Sequence, residues 1–325
     1  MLWLTWRQHR AELAGAAILL ALAAVPLILT GHTMRAAFDG VAGCAGAAPG
    51  GACADRLNAF LGGYADWGRQ LTWVLLLPAA AGVFVGAPLL GREFEHGTWK
   101  LAFTQTVTRT RWLTAKLALV GLGVVAVAAA FTAVFTWWRA PLDAVGGRMA
   151  PEAFNVEGVN LPAAALFALA AGTLAGVVLR RTVSAMAVTL VAFVAVRVPV
   201  ELYARPRYQA PVLLTADPVT DDDAGWIGAP SDWVIGDGYL DGTGRRLSEQ
   251  EELGIISEVY GDGTSVYGPG TAIERYLAEH GLRHYTEYHP ASRFWTFQLI
   301  EAGLYAGLAG LLLGAAVWLI RRRTT

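Results

Sequence analysis

The chain has 325 residues, 55% of them hydrophobic and only 16% charged, with a formal net charge of −1 and two cysteines. Soluble domains carry about 25% charged residues. A net charge this near zero points to no nucleic-acid or acidic partner, and two cysteines are too few for a zinc cluster or a disulfide-built scaffold. The apolar residues fall in long blocks, which a soluble core does not require.

The hydrocarbon core of a bilayer takes about 20 apolar residues of helix. Blocks of that kind occupy residues 13–30, 71–90, 117–138, 161–179, 183–203 and 294–320. The reading is an all-α polytopic membrane protein with six transmembrane helices. Residues 1–12 form an amphipathic connecting segment ahead of the first span. Arg7 and Arg10 also fit the charged region of a signal peptide, with Val41–Cys44 as its cleavage box. Polar residues between the apolar block and that box disfavour cleavage.

Residues 31–70 read as a first external loop, rich in glycine, alanine and proline and without an apolar core. It holds both cysteines, and an oxidising external compartment favours a Cys44–Cys53 disulfide.

Residues 91–116 follow the second span. Glu93 and Glu95 stand at the start, Arg109, Arg111 and Lys116 at the end, with aromatic residues between. Two readings fit: an interfacial connector between spans, or a docking element for a cytoplasmic partner.

Arg180 and Arg181 divide the fourth and fifth blocks. One long helix would place both arginines at the bilayer midpoint, so a tight hairpin is expected. Near the end of the fifth block, Arg197 lies about 9 Å deep, and Glu301 of the last block about 10 Å deep, from the helical rise. Opposite charges at matched depth are expected to pair, with Glu201, one turn beyond Arg197, as the competing partner.

Residues 204–293 read as a small α/β external domain. Trp233–Leu240 has strand character and Asp241–Gly244 is a turn signal. Ser248 with Glu251, and Thr271 with Glu274, have capping-box spacing. His280, His284 and His289 invite a metal reading, but their spacing matches no zinc signature. Asp221, Asp222 and Asp223 lack an EF-hand pattern and read as a solvated acidic turn. Residues 294–325 are the last span and a basic tail.

With the N-terminus inside, the cytoplasmic side receives Arg7, Arg10, Arg92, Lys100, Arg109, Arg111, Lys116, Arg180, Arg181, Arg321, Arg322 and Arg323. The short outer loops hold Arg35, Arg56, Arg69, Arg139 and Arg148. Twelve against five favours both termini in the cytoplasm. Gly82/Gly86, Gly172/Gly176, Gly303/Gly307 and Gly310/Gly314 have GxxxG spacing and are candidate faces for close helix packing, within one subunit or between two.

The segment Arg92, Glu93, Phe94, Glu95, then Gly97 and Thr98, then Thr108 to Trp112 and Lys116, resembles the permease subunits of type-2 ABC exporters. So do Pro290 to Trp295 with Gln298 and Glu301, and the N-terminal Trp3 to Arg7. The resemblance implies a half-transporter permease that forms the translocation path as a homodimer in membrane lipid, of a kind common in actinobacteria. It assigns coupling to Glu93, Glu95, Gly97, Thr98, Arg109, Arg111 and Lys116. No G-x-x-x-x-G-K-[ST] loop is present, so a separate ATPase subunit would bind ATP and Mg²⁺. This chain would hold no cofactor, bind no nucleic acid and carry no catalytic residue; the substrate stays open. A sensor or assembly protein using its ectodomain, and an intramembrane enzyme, are the alternatives. The spans lack His and Asp, which weighs against the enzyme.

Overall fold

The computed structural model describes residues 2–44, 51–70, 74, 76–97, 109–218, 231–260 and 272–323. Within them, five helices are long and apolar enough to cross a membrane: Leu20–Asp39, Leu113–Gly146, Asn160–Leu179, Thr182–Arg207 and Ala291–Arg322. The expected span at 71–90 begins on residues outside that set. Its described part is a continuous rod made of α3 (Leu77–Ala80), a π-helical turn (Ala81–Gly86) and α4 (Ala87–Glu95).

The first helix, α1, runs Leu2–Asp39 and passes well beyond residue 30. A short 3₁₀ turn, Ala42–Cys44, and α2 (Gly51–Gln70) follow. The expectation of a coreless loop over 31–70 is therefore corrected. Met34 and Phe60 are buried in a cluster with Phe131, Phe135 and Trp138, and Phe38, Val41, Leu61 and Tyr64 pack against it. These apolar residues supply the segment with a core contributed mostly by the next long helix, α5 (Arg109–Gly146). Trp138 Nε1 donates to Thr30 Oγ1 at 3.0 Å, and Arg35 donates to the Trp137 carbonyl. Cys44 and Cys53 are disulfide-bonded, which ties the end of α1 to the first turn of α2. Peptide mapping without reduction should recover the linked pair, and its removal should cost about 2 kcal/mol. Two freely alkylated thiols in the intact protein would contradict this.

After α5 comes a short helix, α6 (Pro151–Phe154), then α7 (Asn160–Leu179). Helix α7 is apolar all round, and such a helix belongs in a protein interior. Most of its residues are buried, and it packs against α5, the α3–α4 rod and both remaining long helices. Two glycine pairs make this close approach work. A Cβ at Gly82 would sit 2.5 Å from the Ala168 carbonyl oxygen, and one at Gly86 2.6 Å from that of Leu169. One at Gly176 would sit 2.7 Å from the Ala87 carbonyl oxygen. These two pairs thus serve packing inside the subunit, not between subunits. The glycines at 303, 307, 310 and 314 face open space.

Arg180 and Arg181 turn the chain into α8 (Thr182–Pro199). The helical path continues through a π turn, Val200–Ala204, and a 3₁₀ turn, Arg205–Arg207, past residue 203. A three-stranded antiparallel sheet follows, in the order β1 (Val212–Ala216), β3 (Arg283–His289), β2 (Trp233–Leu240). Val212 pairs with Tyr288 and Trp233 with His289. The turn at Asp241 forms as expected: its Oδ1 accepts from the Thr243 and Arg245 amides at 2.9 and 3.0 Å. Helices α9 (Glu249–Tyr260) and α10 (Ala272–Glu279) cover the sheet through Ile255, Tyr260, Ile273 and Leu277. The Ser248–Glu251 capping box starts α9, with Ser248 N donating to Glu251 Oε2 at 2.7 Å. Thr271 and Asp221 to Asp223 lie outside the described residues. The last helix, α11, runs Phe294–Arg323.

The long helices therefore have two ends. One end carries Gly146, Asn160, Arg207 and the sheet. The other carries Glu95, Arg109 and the Arg180 hairpin.

Candidate functional site

At the sheet end, the helices enclose a layer of buried charge. Glu301 of α11 is wholly buried. Arg205 grips it with two bonds: Nε to Oε2 at 2.8 Å and Nη2 to Oε1 at 2.8 Å. Arg197 Nη1 donates to Glu301 Oε1 at 3.1 Å and to Tyr305 Oη at 3.1 Å. Asn160 Nδ2 adds a bond to Oε1 at 2.8 Å. Glu201 stands 3.6 Å from Arg197 Nε, so Glu301 is the nearer partner of Arg197. Asn155 links Arg205 to Glu201, accepting from Arg205 Nη2 at 2.6 Å and donating to Glu201 Oε1 at 2.8 Å. Two arginines face two glutamates, so the group is neutral, and charges buried without such balance are costly.

A second group of charged side chains adjoins it. Arg139 Nε donates to Asp143 Oδ1 at 2.9 Å, and Arg148 Nε to Glu157 Oε2 at 2.7 Å. Between the groups run the one-turn helix α6 and the non-helical link of residues 155–159, and Phe154, Asn155, Val156 and Glu157 are nearly inaccessible. Non-helical backbone at such depth needs partners for its polar groups. Gln298 of α11 supplies three: its Oε1 accepts from the amides of Val159 and Asn160 at 3.1 and 3.0 Å, and its Nε2 donates to the Phe154 carbonyl at 2.7 Å. Gly158, at φ 65°, makes room, since a Cβ there would lie 2.8 Å from Gln298 Oε1.

Sequence reasoning paired Arg197 with Glu301 and Glu201 but missed Arg205, Asn155, Asn160 and the Asp143–Glu157 group. Arg205 had a signal: positions 197, 201 and 205 recur every four residues on one helix face. The span was ended at 203, which hid it.

The opposite end holds the residues assigned to coupling. Lys116 Nζ, at the base of α5, lies 2.5 Å from Glu93 Oε1 and 3.1 Å from the Leu89 carbonyl. Glu95 Oε2 accepts from the Thr182 amide at 2.9 Å. Gly97 ends α4 with φ 71°, a backbone state that favours glycine. Arg111 is exposed and Arg109 opens α5; Thr98 lies outside the described residues.

The three histidines go to separate partners. His280 Nδ1 meets the Tyr276 carbonyl at 2.8 Å, and His284 Nε2 meets Glu274 at 3.0 Å. Among the described residues no three His, Cys, Asp or Glu side chains group as metal ligands. His289 closes the sheet onto α11. Its Nε2 lies 3.0 Å from the Pro206 carbonyl and its Nδ1 2.9 Å from Arg293 Nη1. Arginine only donates, so this geometry takes the neutral ring with its proton on Nε2. Burial holds the His289 pKa below its ordinary value. A depressed pKa means stability that is complete above the unfolded value and is lost as pH falls through the folded one. Thermal melting from about pH 7 to pH 5 should therefore show a fall that His289→Phe flattens. Equal slopes in both proteins would remove His289 from the account.

Residues 16–205, more than half of the chain, match the family model described as ABC-2 membrane transporter related. The chain belongs to this family. ABC-2-type permeases are the membrane subunits of transporters, and the family match together with five apolar helices makes this a multi-pass membrane protein. The matched range contains the α3–α4 rod, the hairpin and three of the charged layer's anchors: Arg197, Glu201 and Arg205. It stops before the sheet and α11, so Glu301 and Gln298 lie beyond it. No curated protein and no solved structure matches the chain.

Proposed function

We propose that this ABC-2-type permease is the membrane subunit of an ATP-driven exporter in a bacterial cytoplasmic membrane. The family match over residues 16–205 carries the reading. Six spans form the membrane part, the sixth being the α3–α4 rod extended by the apolar residues before it. Both termini and the hairpin end face the cytoplasm, and the sheet end faces outward, in keeping with the excess of Arg and Lys at the hairpin end. A separate ATPase, holding ATP and Mg²⁺, docks against residues 91–116. Two copies of the chain enclose the path, and the open glycine face of α11 at Gly303, Gly307, Gly310 and Gly314 is the candidate contact between them.

The test co-expresses the chain with ABC ATPases from its own genome. A stable complex whose ATPase rate depends on the permease is expected. Glu95→Ala and Gly97→Trp should lower that coupled rate while membrane insertion stays normal. Cysteines placed along the α11 glycine face should give intersubunit cross-links. No complex with the ATPase under any nucleotide condition would overturn the reading.

A further inference from the structure

The reversal between α7 and α8 takes only Arg180 and Arg181. Arg180 is left-handed, at φ 55°, and is the one non-glycine residue with positive φ among the described residues. A residue just past a helix C-terminus in this conformation is most often glycine, which has no Cβ to clash. Arginine therefore holds strained backbone where glycine would not, so its side chain is the thing to explain.

That side chain reaches the tip of α4. Its guanidinium carbon lies 5.8 Å from the centre of the Phe94 ring, within cation–π range. The next residue of the same tip makes a second contact. Helix α8 has no side-chain cap of its own, and the Thr182 amide in its first turn donates to Glu95 instead. A carboxylate there also complements the positive end of the helix dipole.

The α4 tip is held on its other side by Lys116, which is buried and bonds both Glu93 and the Leu89 carbonyl. That clamp joins α5 to the rod as one body. The contact with the hairpin is different, because Glu95 and Arg180 are exposed. This exposed contact is the joint between the tip and the start of α8.

From Thr182, α8 runs to Arg197 as continuous helix over about 22 Å. There it carries Arg197, and just beyond it Glu201 and Arg205, into the layer around Glu301. One rod thus has the α4 tip at one end and the buried charges at the other.

We infer that the Arg180–Thr182 hairpin receives the movement of the α4 tip and that α8 delivers it to the charged layer. Arg180 is a positioning residue of this joint: it seats Phe94 while Glu95 holds the start of α8. The inference rests on the permease reading and names the receiving element within it.

The experiment uses the permease–ATPase complex in lipid nanodiscs with a cysteine at Leu202, an exposed site beyond Arg197 on the same helical path. Labelling of Leu202→Cys is followed with and without a non-hydrolysable ATP analogue. The nucleotide-dependent change in labelling rate should fall by about fivefold or more in Arg180→Gly. That variant keeps the left-handed turn, where glycine is unstrained, and loses the Arg180 side chain, so its melting temperature should equal or exceed that of the wild type. Glu95→Ala should weaken the signal similarly, and Glu95→Gln, which still accepts from the Thr182 amide, should restore most of it. A wild-type signal in Arg180→Gly, with the ATPase bound, overturns the joint and leaves the permease reading standing. Failure of the wild-type chain to bind the ATPase overturns the permease reading and this inference with it.

Discussion

Replacing Glu301 with alanine should destabilise the protein by about 3–5 kcal/mol, the usual cost of stripping one partner from a buried ion pair. The reason is local. Arg205 and Arg197 both donate to Glu301, and both are themselves buried. Without it, the two guanidinium groups keep one carboxylate between them, Glu201, at 3.6 and 3.9 Å. Asn160 would also lose the acceptor for its amide. Glu301→Gln keeps the side-chain shape and one acceptor oxygen but removes the charge, so a smaller loss is expected. Double-mutant cycles should give a larger coupling for Arg205 with Glu301 than for Arg197 with Glu301, because the first pair is bidentate. Thermal melting in detergent reads the stability, and strict additivity in both cycles would falsify the network.

The second large effect is expected at Gly172. Here α7 meets the rod at the π-helical turn, where a Cβ would lie 2.7 Å from the Ala87 amide nitrogen and 2.9 Å from the Gly86 carbonyl carbon. Both atoms are backbone, so no side chain is free to swing away. Gly172→Ala should cost about 1–3 kcal/mol through overpacking. Gly172→Leu should prevent the rod from seating and lower the yield of folded protein. Gly307→Ala is the control, since its Cβ meets nothing within 4 Å, and its effect on subunit stability should stay within about 0.5 kcal/mol. Equal melting temperatures for Gly172→Ala and Gly307→Ala would show that the rod and α7 do not pack this closely.

Much of this architecture is legible in the sequence by itself, because it depends on neighbours along the chain. Runs of apolar residues mark membrane helices through the free energy of placing each residue in lipid. Arg180 and Arg181 mark a hairpin because charge is excluded from the bilayer centre. Ser248 with Glu251, and Asp241 before Gly244, mark a helix start and a turn because their hydrogen bonds close within a few residues. Even the Arg197–Glu301 pairing was accessible, since helical rise converts residue number into depth.

Other features depended on which surfaces meet, and a one-dimensional pattern does not encode that. The glycines at 82, 86, 172 and 176 carry the same spacing as those at 303, 307, 310 and 314. Only the tertiary structure puts the first set backbone to backbone inside the subunit and leaves the second set open. Residues 31–70 have too few apolar side chains for a core of their own, and the described parts, 31–44 and 51–70, pack as helices on Phe131, Phe135 and Trp138 of α5. The segment around Asn155 and Glu157 reads as an ordinary link between spans. It becomes the centre of the charged layer because Gln298 and Arg205 arrive from far along the chain to bond its Phe154 carbonyl and Asn155 side chain, beside the nearby Arg148. Burying such irregular backbone is favourable only when those partners are in place, and their convergence is a property of the folded helices.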